Sequence, residues 1–149
     1  MNLTTTQLAD AVDAWVAETL AINTFNHQAN RLSENLPLVV SSIQTDARAA
    51  ANPAFPHLGN YQQTFVRTRV VEVLLLVEPE PSWDATQLLY GYVDTLAAAI
   101  LRDDSLGGRV HTTSKLYDAS YDPPEVEYSD GTVARAATMT LTIGEVTEV

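Results

Sequence analysis

Residues 82–108, SWDATQLLYGYVDTLAAAILRDDSLGG, constrain the fold more than any other stretch of the chain. Leu88, Leu89, Tyr92, Val93, Leu96, Ala97, Ile100 and Leu101 recur at spacings of three and four, which predicts an amphipathic helix with an apolar face about 100° wide. Such a face has to be buried against another element. Asp84 followed by Gln87, just after Pro81, predicts a capping-box-like start, and Gly107-Gly108 offer the positive-φ positions that let a chain leave a helix sharply. EVLLLV at 72–77 precedes the helix and RVHTTSKL at 109–116 follows it, and both suit strands. The middle of the chain therefore reads as strand, helix, returning strand.

The flanking sequence extends this pattern. Leu8, Val12, Trp15, Val16 and Leu20 form a stripe at helical spacing, and Thr4 with Gln7 predicts a capping box, so a first helix is expected over 4–21. The polar segment 23–35 breaks the period, and PLVVSSIQT at 37–45 reads as a strand. Residues 46–60, with two prolines and a glycine, read as a long connection. Strand character returns over 61–78, alternating at first, with Phe65, Arg67 and Arg69 on one side and Val66, Thr68 and Val70 on the other, then apolar on both sides. Asp130-Gly131, between VEYS and TVAR, is a two-residue hairpin signal. The last strand, 132–143, puts Val133, Arg135, Ala137, Met139, Leu141 and Ile143 on one face and small residues on the other.

The expected fold is α+β, one domain over 1–149: a four-stranded, mainly antiparallel sheet with two helices packed on one face, in the order α-β-β-α-β-β. Two helices cover only one face of such a sheet. The second apolar face of 70–77 needs another cover, either the connection at 46–60 or a neighbouring subunit.

Bulk properties narrow the class. With 149 residues the chain can remove roughly 70% of its unfolded surface from water, and with no cysteine it has neither disulfide nor thiolate chemistry. No apolar stretch approaches the ~18 residues of a membrane span, and the N-terminus lacks the basic-then-apolar pattern of a signal peptide, so no membrane association is expected. Eight basic against 19 acidic residues give a net charge of −11. Arg67, Arg69, Arg102, Arg109 and Arg135 are too interleaved with acids to form a nucleic-acid footprint, so DNA is expected at most to pass without specific binding.

No catalytic constellation is evident, and no cofactor, metal or catalytic residue is expected. His27, His57 and His111 are not at metal-ligand spacing, and no phosphate loop, dinucleotide fingerprint or nucleophile elbow occurs. Asp118, Asp122, Glu125, Glu127 and Asp130 supply oxygen ligands without an EF-hand spacing, and a solvated acidic loop explains them better than a cation site does. Tyr117, Tyr121 and Tyr128 fit either a protein interface or plain cross-strand packing. One local conflict stands out: Asp103 and Asp104 fall at the negative end of the central helix dipole. Either the helix stops before them or Arg102 and Arg109 compensate. Asp103, Asp104, Leu106, Gly107 and Gly108 are thus the candidate constrained junction.

Several of these features together resemble a known family. A short N-terminal helix, the strand VVEVLLLVEPE at 70–80, a helix core containing Leu89, Tyr92, Asp94 and Leu96, the exit DDSLGG, and the final strand ARAATMTLTI resemble the tail terminator, or tail-completion, proteins of long-tailed phages and related viruses. The resemblance runs over most of 36–143. It implies a non-enzymatic virion protein: a homo-hexameric ring, assembled in the host cytoplasm, that caps the tail tube at its head-proximal end, stops its polymerisation and offers the joining surface for the head connector or neck protein. Another neck or head-completion component, or a free-standing ligand-binding α+β domain, is the alternative. Six copies carry a formal charge of −66, six times −11, so subunit contacts must be complementary or screened. The expected interface residues are Phe55, Pro56, His57, Leu58 and Tyr61 in the long connection, with Tyr121 and Glu125 in the acidic hairpin, because long connections ordered by a partner are common assembly contacts.

Overall fold

A computed structural model describes residues 3–25, 35–50, 64–121, 125–127, 131 and 133–148. Helix α1, Thr5–Leu20, starts at the expected box: the Thr4 hydroxyl accepts from the Gln7 amide at 3.1 Å, and the Gln7 side chain accepts from the Thr4 amide at 2.9 Å. Two of the helix's orphan donors are satisfied in this way. Leu8, Val12, Trp15 and Val16 form its buried face.

Helix α2, Ser82–Arg102, differs from expectation at its start and along its stripe. Its N-cap is Pro81, which makes no side-chain cap bond, and Asp84 lies in the first turn, where its charge favours the helix dipole without capping it. The buried face is Ala85, Leu89, Val93, Leu96 and Ile100, while Leu88 and Leu101 flank that face and are 43% and 62% exposed. An apolar stripe wider than the contact leaves its margins in solvent.

The strands are β1 (Asn23–Thr24), β2 (Leu38–Ala50), β3 (Thr64–Val77), β4 (Thr112–Thr113), β5 (Asp118–Ser120), β6 (Glu125–Glu127) and β7 (Val133–Glu148). Their order is β1-β2-β3-β7-β4, with β5 and β6 also paired to β7. The fold is therefore α+β with two helices, but the sheet is not four regular antiparallel strands. β1 runs parallel to β2, which makes the sheet mixed. β2, β3 and β7 are long and antiparallel, and the row beyond β7 consists of the short segments β4, β5 and β6.

Local hydrogen bonds explain why 109–116 is not the continuous strand expected. The amides of Arg109 and Val110 both donate to the Ser105 carbonyl, so the turn after α2 persists to Val110 and pairing with β7 begins only at Thr112. The Ser114 hydroxyl then accepts from the Leu116 amide, a local bond that competes with the ladder. The hairpin register also departs from expectation. Glu127 pairs with Val133, so the connection is longer than Asp130-Gly131 alone, although Gly131 does take φ +84°. The long connection expected over 46–60 starts later, because 46–50 belongs to β2.

Both helices contribute to one core with Val39 of β2 and with Val71, Val73, Leu75, Val77, Ala137, Met139, Leu141 and Ile143, the odd-numbered face of β3 and β7. On the opposite face a smaller cluster joins Leu38, Leu76, Ala134 and Ala136, with Leu36, Val40, Leu74 and Val126 packed against it. Farther along, that second face is Thr68, Val70, Glu72, Thr138, Thr140 and Thr142, all half-buried. Among the described residues no helix is long and apolar enough to cross a membrane.

Candidate interaction surfaces

The exit from α2 resolves the charge conflict by ending the helix. Arg102 is the last helical residue, and Asp103 leaves it with φ −151°. The Asp103 carboxylate then accepts from the Ser105 hydroxyl at 2.6 Å, the Ser105 amide at 3.0 Å and the Gly107 amide at 3.1 Å. These bonds, Ser105 first, hold it below the usual carboxylate range. Asp104 accepts from the Thr112 hydroxyl at 3.2 Å and so ties the turn to β4.

Leu106 is fully buried at φ +53°, with Gly107 at +72° and Gly108 at +80°, so three successive residues occupy the left-handed region. For leucine that conformation is unfavourable and is held by its burial in the main core. Gly107 also makes room: a Cβ there would lie 2.8 Å from the Arg109 guanidinium. Arg109 crosses the turn, donates to the Leu106 carbonyl at 3.2 Å and pairs with Glu18 at the end of α1. The five junction residues are thus one structural unit that aims the chain from α2 to β4 and couples it to α1. A groove of about 390 Å³ lies there, lined in part by Trp15, Glu18, Arg102 and Arg109.

A second surface contains two of the expected interface residues. The Tyr121 ring meets Tyr90 of α2 edge to face, with centroids 4.9 Å apart. Burial and the nearby Asp94 carboxylate push the Tyr121 hydroxyl above its ordinary value. Tyr121, Tyr90 and Arg135 border a cavity of about 150 Å³, and the Arg135 guanidinium lies 3.8 Å from the Glu125 carboxylate. Arg135 therefore brings Tyr121 and Glu125 to one place. Phe55, Pro56, His57, Leu58 and Tyr61 lie outside the described residues.

The third surface was not anticipated. Past α1, the core face of the sheet continues with Arg67 and Arg69 on β3, in phase with Val71 and Val73, and with Glu145 on β7, in phase with Ile143. Arg69 is fully buried and donates to Glu145 at 2.6 Å. The other Glu145 oxygen accepts from the Leu3 amide at 3.0 Å, and the Leu3 carbonyl accepts from Arg69 at 2.9 Å and from Arg67 at 3.3 Å. Arg67 grips Asp46 of β2 with two bonds, 2.8 and 2.6 Å, a fork geometry that depresses the Asp46 carboxyl. Two ion pairs thus clamp the chain entering α1 onto three strands. The alternation of 65–70 had placed the arginines together; their phase with the buried valines was the available signal for their burial.

Among the described residues no three of His, Asp and Glu converge to hold a metal ion. No protein-family model matches the chain, and a search of curated proteins finds no match.

Proposed function

We propose that this protein is a structural component of a virion: a homo-hexameric ring that caps the tail tube, stops its polymerisation and presents the joining surface for the head connector, without catalysing a reaction. The observation that carries the proposal is the shape of the sheet. β2, β3 and β7 run on beyond the two helices, and their second face has neither helix against it, so the fold offers edges and faces of the kind that assembly interfaces use. The resemblance of 36–143 to tail terminators supplies the particular assembly.

In this reading the connection at 51–63 and the Tyr121–Glu125 surface meet the tube protein, the connector or the next subunit. An acidic bore lets passing DNA slide without adhering, and a ring with a neutral or basic bore would contradict that part of the proposal. The ring is made in the host cytoplasm and resides at the head-proximal end of the tail. Labelling the protein in intact virions and locating the label by electron microscopy tests this. Density between tail tube and connector supports a terminator, whereas density within the head portal assigns it to another neck or head-completion component. The groove of about 390 Å³ between α1 and the turn after α2 favours a second reading, a free-standing ligand-binding domain. That reading requires a protein absent from virions.

A further inference from the structure

The outer edge of β2 is largely unpaired among the described residues. β1 pairs only with Leu38 and Val39, so from Val40 to Ala50 the edge has no partner strand among the described residues. Gln44, Thr45, Asp46, Ala47 and Arg48 are all exposed. Edge strands are ordinarily blunted by shortness, proline, bulges or charge; residues 40–50, VSSIQTDARAA, contain neither proline nor lysine, and carry one irregularity, between Ile43 and Thr45, and one charge of each sign, Asp46 and Arg48.

The segment is also self-complementary. In an antiparallel pairing of two copies centred on Ala47, Asp46 of each lies directly opposite Arg48 of the other, on the same face, twice per pair. Both Asp46 oxygens accept from Arg67, and the Asp46 side chain is 34% exposed. Arg48 is exposed, and its charge acts on the Asp46 carboxylate of its own strand. The local charge permits the approach: Arg48, Arg67 and Arg69 against Asp46 and Glu145 make this face net +1 in a chain of net −11.

We infer that this edge pairs with the same edge of a second copy, antiparallel about Ala47, joining two sheets into one. The contact is independent of the ring proposed above. It is isologous, and it can link two rings or hold the free protein as a dimer.

The chain has no cysteine, so Ala47→Cys in the full-length protein tests the register directly. Under mild oxidation it is expected to form a disulfide-linked dimer, while Gln87→Cys, exposed on α2, stays uncrosslinked at the same concentration. Arg48→Glu turns both opposite-charge pairs into like-charge pairs; sedimentation is expected to show self-association weakened roughly tenfold or more, with the thermal transition of the dilute, dissociated protein unchanged. Equal crosslinking of the two cysteine variants, or association unaltered by Arg48→Glu, overturns the inference. A hexamer in which Ala47→Cys does not crosslink overturns it while leaving the ring intact.

Discussion

Replacing Glu145 by alanine should unmask the energetic centre of the projecting sheet. Glu145 is 4% exposed, takes a 2.6 Å bond from a fully buried guanidinium and accepts the Leu3 amide. Truncation leaves Arg69 charged in a site that has lost its counter-ion, and breaking one side of a buried pair costs about 3–5 kcal/mol. At roughly 2–4 °C per kcal/mol for a chain of this size, the thermal midpoint should fall by about 6–20 °C. The double variant Arg69→Leu, Glu145→Leu removes both charges and should recover most of the loss, because apolar replacements of a buried pair are often close to neutral. Glu18→Ala is the control: it breaks the pair with Arg109, but Glu18 is 72% exposed in its side chain, and such pairs contribute about 0–1 kcal/mol. Urea unfolding followed by far-ultraviolet circular dichroism measures all three. If Glu145→Ala costs no more than Glu18→Ala, or if the double variant is as unstable as the single, the buried pair does not hold this end of the sheet.

Three further outcomes follow from the geometry. Gly107→Ala and Gly108→Ala both force a Cβ into the left-handed region and should each cost about 1–2 kcal/mol in urea unfolding; at position 107 the new atom also meets the flexible tip of Arg109, which can swing aside, so the two midpoints should fall by similar amounts. Thr4→Ala removes the N-cap acceptor of α1 and should lower stability by about 1 kcal/mol in the same assay. Asp13 lies beside Ser41 with its carboxyl raised above the ordinary carboxylate value, chiefly by burial, whereas Asp46 and Asp103 are lowered below it by their hydrogen bonds. The stabilising carboxylates keep their full contribution above the ordinary carboxylate value and lose it as pH falls through their depressed values. The raised Asp13 acts in the opposite sense: its penalty sets in as pH rises above the ordinary carboxylate value and is complete above its raised folded value. Asp13→Asn should thus raise the melting temperature at pH 7 and lose that advantage toward pH 3, as a pH series of melts would record.

The elements whose periodicity reflects burial were legible before any coordinates. The stripe Leu8, Val12, Trp15 and Val16, the capping box at Thr4 and Gln7, and the odd face of β7 from Ala137 to Ile143 all lie where the pattern placed them. The apolar end of β3 was equally clear, because residues buried on both sides leave a continuous run. What escaped depends on contacts distant in sequence. Nothing local marks Leu88 and Leu101 as marginal to the α2 face, since that depends on how wide a strip the sheet and α1 cover. The late start of β4 and the gap between β4 and β5 come from bonds at Ser105 and Ser114 that compete with the ladder. The clamp of Arg67 and Arg69 needed Glu145 and Leu3, from the two ends of the chain, to be brought together. The junction at 103–108 was recognised as a unit because charge and glycine content were both unusual there, although Leu106 as a left-handed residue carried no warning.

Tail length in the absence of the protein is the most direct measure of the proposed role. In a phage that encodes this chain, deleting it should yield tubes that grow past the normal length and fail to join filled heads, and adding the purified protein should restore tails of uniform length that accept heads. Tails of normal length joined to heads without the protein would contradict a terminator function.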